Sequence, residues 1–353
     1  MSDIFSGPNG GVAPSGSLAD DILTECVRSA VAAPSLHNSQ PWLFRIADGA
    51  VDIYVDRSRQ LEVLDPIGRE LLISVGAAIF TLRLAIRRAG RLPVLELLPD
   101  TDETDRVARV TAGRASAPTP AVEALAAAIE HRHTNRWPFA RSVVPADAIE
   151  QLTDAAGFEG ATLTVASAVS RNAIIGLSQA ADRQLRAQGG YRAELARWTG
   201  RGRGRRDGVP PQAIGPWDAL ETMPIRDFGL LQPHRHRASE TFEPYPTLVI
   251  LATKGDSPAA WVRAGQALQR VLLTATWLNL ATTPISQPIE IPVIRESLTD
   301  TDDGVWAQMV LRVGYGRPAA ATPRRPLTDV LLAPSSREFN VAGPQAVRTN
   351  DPA

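Results

Sequence analysis

Two stretches of the chain are apolar on nearly every helical face. From about Leu71 to Arg88, Leu72, Val75, Gly76, Ile79, Leu82, Leu84 and Ile86 leave little of the helix surface polar. From about Ala260 to Leu280, Val262, Leu268, Val271, Leu272, Ala275 and Leu278 do the same. A helix apolar all round is a buried helix, so both are expected at the core. Each runs into a breaker-rich turn and then a strand. Ala89-Gly90-Arg91-Leu92-Pro93 leads to Val94 through Leu98, and the second helix leads to Thr282-Thr283-Pro284-Ile285.

Each unit then closes on a strand in the frame Arg-Val-x-x-Gly-Arg, from Arg109 to Arg114 and from Arg312 to Arg317. A weak but ordered self-similarity of this kind points to an internal duplication, with about fourteen extra residues in the second copy, placed in Glu290 to Gly304; two unrelated helix-turn-strand units are the alternative. The seam falls in Ala115 to Pro120, rich in small residues and proline, and a helix is expected from Ala121 to His131. Residues 186–246 show little periodicity. An irregular stretch of that length is functional or disordered, so a lid over a site and a surface excursion both stand as readings.

Before the first core helix, an amphipathic run from Leu18 to Ala32 ends at Ala33-Pro34-Ser35-Leu36-His37-Asn38-Ser39-Gln40-Pro41-Trp42. A proline closes the helix, short polar side chains follow, and Pro-Trp opens a strand. Such an elbow offers several hydrogen-bonding groups to a flat, heteroatom-rich ligand. After the seam helix, Arg132-His133-Thr134-Asn135-Arg136 sets two guanidinium groups four residues apart around a hydroxyl. Guanidinium forks bind phosphate oxygens through paired hydrogen bonds, so this is a candidate anion receptor; a solvated basic helix end is the alternative.

Composition narrows the classes. The formal net charge of −1 gives no global attraction to nucleic acid or anionic membrane. Of the 37 basic residues only Lys254 is a lysine, so any anion site is built from arginine. The lone cysteine, Cys26, lies in the first helical run and reads as a buried small hydrophobe. Residues 1–17 lack a basic and an apolar region and read as a flexible tail, and no apolar run is long enough to span a bilayer. A cytoplasmic location is the resulting expectation. No Gly-x-Gly-x-x-Gly, Walker A loop, Gly-x-Ser-x-Gly or metal-ligand spacing is present. His234-Arg235-His236 faces either a ligand or solvent, and the short Arg-Gly cluster at 201–206 lacks the interleaved aromatics of a nucleic-acid site.

The elbow closely resembles the Pro-Ser-x-x-Asn-x-Gln-Pro-Trp flavin elbow of FMN-dependent nitroreductases, and Arg132 to Arg136 resembles their Arg-x-Ser/Thr-x-Arg/Lys segment. In that family the two parts come from different subunits and enclose one FMN at the dimer interface. The chain resembles both subunits fused, and among fused forms it is most similar to the actinobacterial Acg family. The resemblance implies an α+β nitroreductase-like fold of two related halves forming an intrachain pseudo-dimer. Its halves would be residues 18–118 and 119–335, the latter with the insertion at about 186–246, and residues 336–353 would be a tail.

It also implies site roles. Ser35, Asn38 and Gln40 would hydrogen-bond the flavin, while Pro34, Pro41 and Trp42 shape the elbow. Arg132 and Thr134 would hold the phosphate, with Arg324 or Arg325 adding to it. Arg136 would face flavin N1 and O2, and a backbone N–H of Ser286 or Gln287 would face N5. The implied activity is reduction of a nitro or quinone-type acceptor by NADH or NADPH, through one flavin in a chain able to act as a monomer. Ala155 to Gly160 carries no second elbow, so one flavin is expected and not two. If residues 186–246 close over it, the alternatives are a protein that sequesters FMN without turnover, or one that has lost the flavin.

Overall fold

The computed structural model describes residues 4–5, 18–98, 103–199, 204–230, 237–299 and 302–333. The first half opens with helix α1 (Asp20–Ala30) and strands β1 (Trp42–Ala47) and β2 (Ala50–Val55). The long helix α2 (Arg69–Arg88) follows, then β3 (Arg91–Leu97) and β4 (Arg106–Ala115). After the seam come α3 (Pro120–Ala128), α4 (Ala146–Gly157), β5 (Ala161–Val165), α5 (Ala168–Ala187) and α6 (Tyr191–Trp198). A minor pair, β6 (Trp217–Asp218) and β7 (Ser239–Glu240), leads to β8 (Thr247–Lys254) and the long helix α7 (Pro258–Trp277). The chain then runs through β9 (Ala281–Ile285), α8 (Gln287–Glu290), α9 (Pro292–Glu296) and β10 (Val305–Gly314).

One topology occurs twice. The sheets are ordered β1-β2-β4-β3 and β5-β8-β10-β9, with every neighbour antiparallel. In both, the second and third strands in chain order are joined by a 20-residue helix. Most of α2 and α7 is buried, and each packs on its own sheet on one side and on the other helix between them. The connection between β9 and β10 carries α8 and α9, so the extra residues of the second half lie where spacing had placed them.

The Arg-Val-x-x-Gly-Arg frame, in contrast, is not part of the repeat. Arg109 pairs with Glu96, near the end of β3, whereas Arg312 pairs with Thr283, in the middle of β9. The two arginines hold different stations, and what repeats is helix and sheet order.

Residues 186–246 are also more regular than their sequence suggests. Tyr191, Leu195 and Trp198 bury one face of α6. They form a core with Val209, Ile214 and Phe228, closed by Leu61 and Leu64 of the first half. Within the segment read as a flexible tail, Ile4 is buried and Phe5 packs edge-on to Phe80, so that part is docked on α2. Cys26 is buried as expected, and burial followed by the Glu25 charge pushes its thiol up to about 12. Among the described residues no helix is long and apolar enough to cross a membrane. His234-Arg235-His236 and residues 336–353 lie outside the described residues.

Candidate active site

Pro34 ends the first helical run, and the chain turns through three non-glycine residues with positive φ: His37 (50°), Asn38 (56°) and Gln40 (52°). Asparagine and histidine enter that region more readily than glutamine, and three such residues in one turn call for external support. Two hydroxyls provide it. Ser35 Oγ accepts from the Gln40 N–H at 2.8 Å, and Ser74 Oγ, on α2, accepts from the Leu36 N–H at 3.1 Å.

The turn forms one wall of a cavity between the halves, with about 740 Å³ of empty space counted to its open mouth. The elbow contributes Pro34, Ser35, Leu36 and His37, and α2 contributes Glu70, Ile73 and Ser74. Thr134 and Arg136 enter from the seam segment, which is fixed by the Asn135 N–H donating to Thr282 O at 2.9 Å. From the second half come Leu268, Pro284, Ser286 and Met309, while Ile225, Arg226 and Phe228 cover one side. The structure thus gathers Pro34, Ser35, Thr134, Arg136 and Ser286, which are dispersed in sequence, around one space.

Asn38, Gln40 and Trp42 lie beside this space and not on it. Asn38 donates to Gly208 O and Pro323 O, both at 3.0 Å, and its Oδ1 accepts from Arg324 at 3.1 Å. Gln40 donates to Arg206 O at 2.9 Å and accepts from the Arg325 N–H at 2.7 Å. Trp42 is fully buried in the first core. The two amides are struts joining the elbow to the excursion and to the segment after β10. Gln287, also outside the cavity lining, is buried and donates to Pro224 O at 3.1 Å while its neighbour Ser286 faces inward.

The arginines separate by their partners. Arg325 binds Gln40 O at 3.0 Å and reaches the Asp56 carboxylate at 3.4 Å. Among the described residues Arg324 meets only neutral oxygens, including Asn38 Oδ1, Thr322 Oγ1 and Ala32 O. Arg132 is buried, and its Nε has no hydrogen-bond partner among the described residues. Burial, then the charge of Arg324, lowers Arg132 to about 9, and burial lowers Arg324 to about 10. These are two adjacent buried cations with no facing carboxylate among the described residues, a costly arrangement unless an anion joins them. Arg136 is also lowered by burial and then by Arg226, to about 10. It donates to Ala213 O at 2.8 Å and lies over the Phe228 ring at 4.6 Å.

Three cavity residues carried no signal in the sequence. His37 is buried edge-on to Phe228, and neither ring nitrogen has a hydrogen-bond partner among the described residues. Burial, then Arg226 and Arg136, holds its pKa well below the usual histidine value, so it is neutral. Arg226 is buried and ion-paired to Glu290 on α8, and it donates to Ser286 Oγ at 3.3 Å. Glu70 is buried in the first turn of α2. Helical periodicity had placed Glu70 just ahead of the core helix, and no local pattern marks a carboxylate that tertiary packing buries with one oxygen, Oε2, left without a hydrogen-bond partner among the described residues.

The Nitroreductase family model matches residues 129–315. Over 314 residues the chain is 33% identical to "Putative NAD(P)H nitroreductase Rv3131" of Mycobacterium tuberculosis H37Rv, covering 86% of this chain and 89% of that protein. It is 29% identical over 326 residues to "Putative NAD(P)H nitroreductase acg" of the same strain, covering 90% and 97%. A Bacteroides fragilis nitroreductase crystal structure with bound FMN aligns at a TM-score of 0.34 and 16% identity, over 57% of this chain and 93% of that one. The family match and the extent of the mycobacterial similarity lead to one conclusion: the chain belongs to the nitroreductase family.

Proposed function

We propose that the chain is an FMN-dependent NAD(P)H oxidoreductase that works as an intrachain pseudo-dimer, with one flavin between its halves. The observation that carries this reading is the buried Arg132 beside Arg324, with no hydrogen-bond partner for the Arg132 Nε among the described residues. A phosphate monoester supplies the missing anion, and Arg324 is assigned to it in preference to Arg325, which already faces Asp56. Thr134 and Arg136 extend from that end into the cavity, which suits a planar ring system bounded by Pro34, Ser35 and Ser286. Arg136 is assigned to the N1 and O2 edge, where a fixed cation favours negative charge on reduction. The Ser286 or Gln287 N–H is assigned to N5. When bound, FMN supplies hydride chemistry between NADH or NADPH and a nitro or quinone-type acceptor. The repeat of one topology within a single chain supports a site complete in a monomer.

One observation favours a second reading. Ile225, Arg226 and Phe228 close one side of the cavity from a packed excursion, and not from a loose loop. A flavin held beneath them without access for a nicotinamide would be stored and not turned over. Loss of flavin from the Arg132→Ala/Thr134→Ala double variant tests the binding site. Anaerobic bleaching of the flavin by NADH or NADPH decides between turnover and storage.

A further inference from the structure

Glu70 stands where two spaces meet. It lines the cavity between the halves, and it also lines an outer cleft with Asp65, Glu290, Glu296 and Trp306. Its Oε1 accepts from Arg69 at 2.8 Å, and Arg69 is fixed in turn on Gln308 O at 2.9 Å. Its Oε2 is buried without a hydrogen-bond partner among the described residues. The facing charges are Arg69 on α2, Asp65 in the turn before it, Glu290 on α8 and Arg226 in the excursion. Burial, and next the Glu290 carboxylate, push the Glu70 carboxyl up to about 8 against the pull of Arg69 and Arg226. The buried, unpartnered Oε2, facing the carboxylates of Asp65 and Glu290, favours the protonated form.

We propose that Glu70 is the proton donor to the acceptor bound in the cavity, and that it is reprotonated by water through the outer cleft beside Asp65 and Glu290. The inference rests on the oxidoreductase reading above and adds the half of the chemistry that a hydride does not supply. Two-electron reduction of a quinone takes up one hydride, from the reduced flavin of that reading, and one proton. The Glu70 O–H bond breaks, a new O–H bond forms on the quinone oxygen, and a neutral hydroquinone leaves. A nitro group takes up the same hydride and proton, giving a nitroso group and water. In either case a carboxylate remains at Glu70 and takes its next proton from solvent.

The test uses the full chain and has two arms. Difference infrared spectroscopy on the protein as purified should show a carboxylic acid C=O band that disappears with a midpoint near pH 8 and is missing in Glu70→Gln. With benzoquinone as acceptor, reoxidation of the photoreduced flavoprotein should slow about 100-fold in Glu70→Gln, within the usual range for loss of a general acid. In the unaltered chain the rate should fall as pH rises through the same midpoint. A missing band, or a variant reoxidised as fast as the parent, overturns the proposal. If Glu70→Gln does not fold, the parent decides: a rate flat across that pH range overturns it. A chain that binds no FMN defeats the oxidoreductase reading, whereas the infrared band reports on Glu70 alone.

Discussion

Gly76 on α2 and Gly265 on α7 meet where the two central helices cross. A Cβ on Gly76 would lie 2.2 Å from Val262 O, and one on Gly265 would lie 2.0 Å from Ile73 O. They occupy the same station in two 20-residue helices, so each backbone rests in the gap left by the other's missing side chain. The halves are thereby fixed against each other one turn from Ile73, which itself lines the cavity.

Because the obstructing atoms are backbone, the crossing has no easy relaxation. Gly76→Ala and Gly265→Ala should each destabilise the chain by about 3 kcal/mol or more, at the upper end for overpacking. Gly176→Ala, on α5 with no atom within 4 Å of the added carbon, is the control. It should stabilise by about 0.5–1 kcal/mol through helix propensity. Urea unfolding midpoints check both, and an unaffected Gly265→Ala would disprove the close crossing.

The arginine pair gives a prediction of opposite signs. Without ligand, Arg132→Met removes an uncompensated buried charge and should raise stability by about 1–4 kcal/mol. With FMN at about 100 times its Kd the unaltered chain gains about 2.7 kcal/mol, and the variant should gain none. Thermal melts with and without FMN measure each of these.

His37 sets an acid limit. Its folded-state pKa lies well below the ordinary 6.5, so below that pH the unfolded chain takes up a proton that the folded chain refuses. Stability contributed by this group is present above 6.5 and is lost as pH falls, at about 1.4 kcal/mol per pH unit. His37→Asn keeps a residue tolerant of positive φ and should flatten the decline between pH 6.5 and 5. A variant with the parental slope would show that the imidazole protonates freely.

Arg226 and Glu290 tie the excursion to α8 beside Ser286. Glu290→Gln leaves a buried guanidinium without its counter-charge and should cost about 3–5 kcal/mol. It should also speed exchange of bound FMN for free flavin. Dilution-driven flavin release measured by fluorescence gives the rate, and an unchanged rate would mean that the excursion does not gate the cavity.

The core helices were legible because apolar residues on every face are a local signal of burial. The elbow and the Arg-x-Thr-x-Arg segment stood out through the family resemblance more than through their residue types, and the fold brings Ser35, Thr134 and Arg136 of both to one cavity. Helix α6 was missed although Tyr191, Leu195 and Trp198 keep helical spacing, because two turns among glycines and arginines give a weak period. The repeated Arg-Val-x-x-Gly-Arg frame misled, since strand register is fixed by partners and not by local composition. Asn38 and Gln40 have the chemistry to bind a ligand, yet their amides are taken up by backbone carbonyls, an N–H and an arginine brought from far along the chain. His37, Glu70 and Arg226 gain their importance from burial and missing or distant partners, which only the assembled fold provides.

The most direct test is an absorbance titration of the ligand-free chain with FMN, run beside Arg132→Ala/Thr134→Ala. The account predicts saturation at one flavin per chain and no saturable binding in the variant. No binding, two flavins per chain, or full retention by the variant would contradict it.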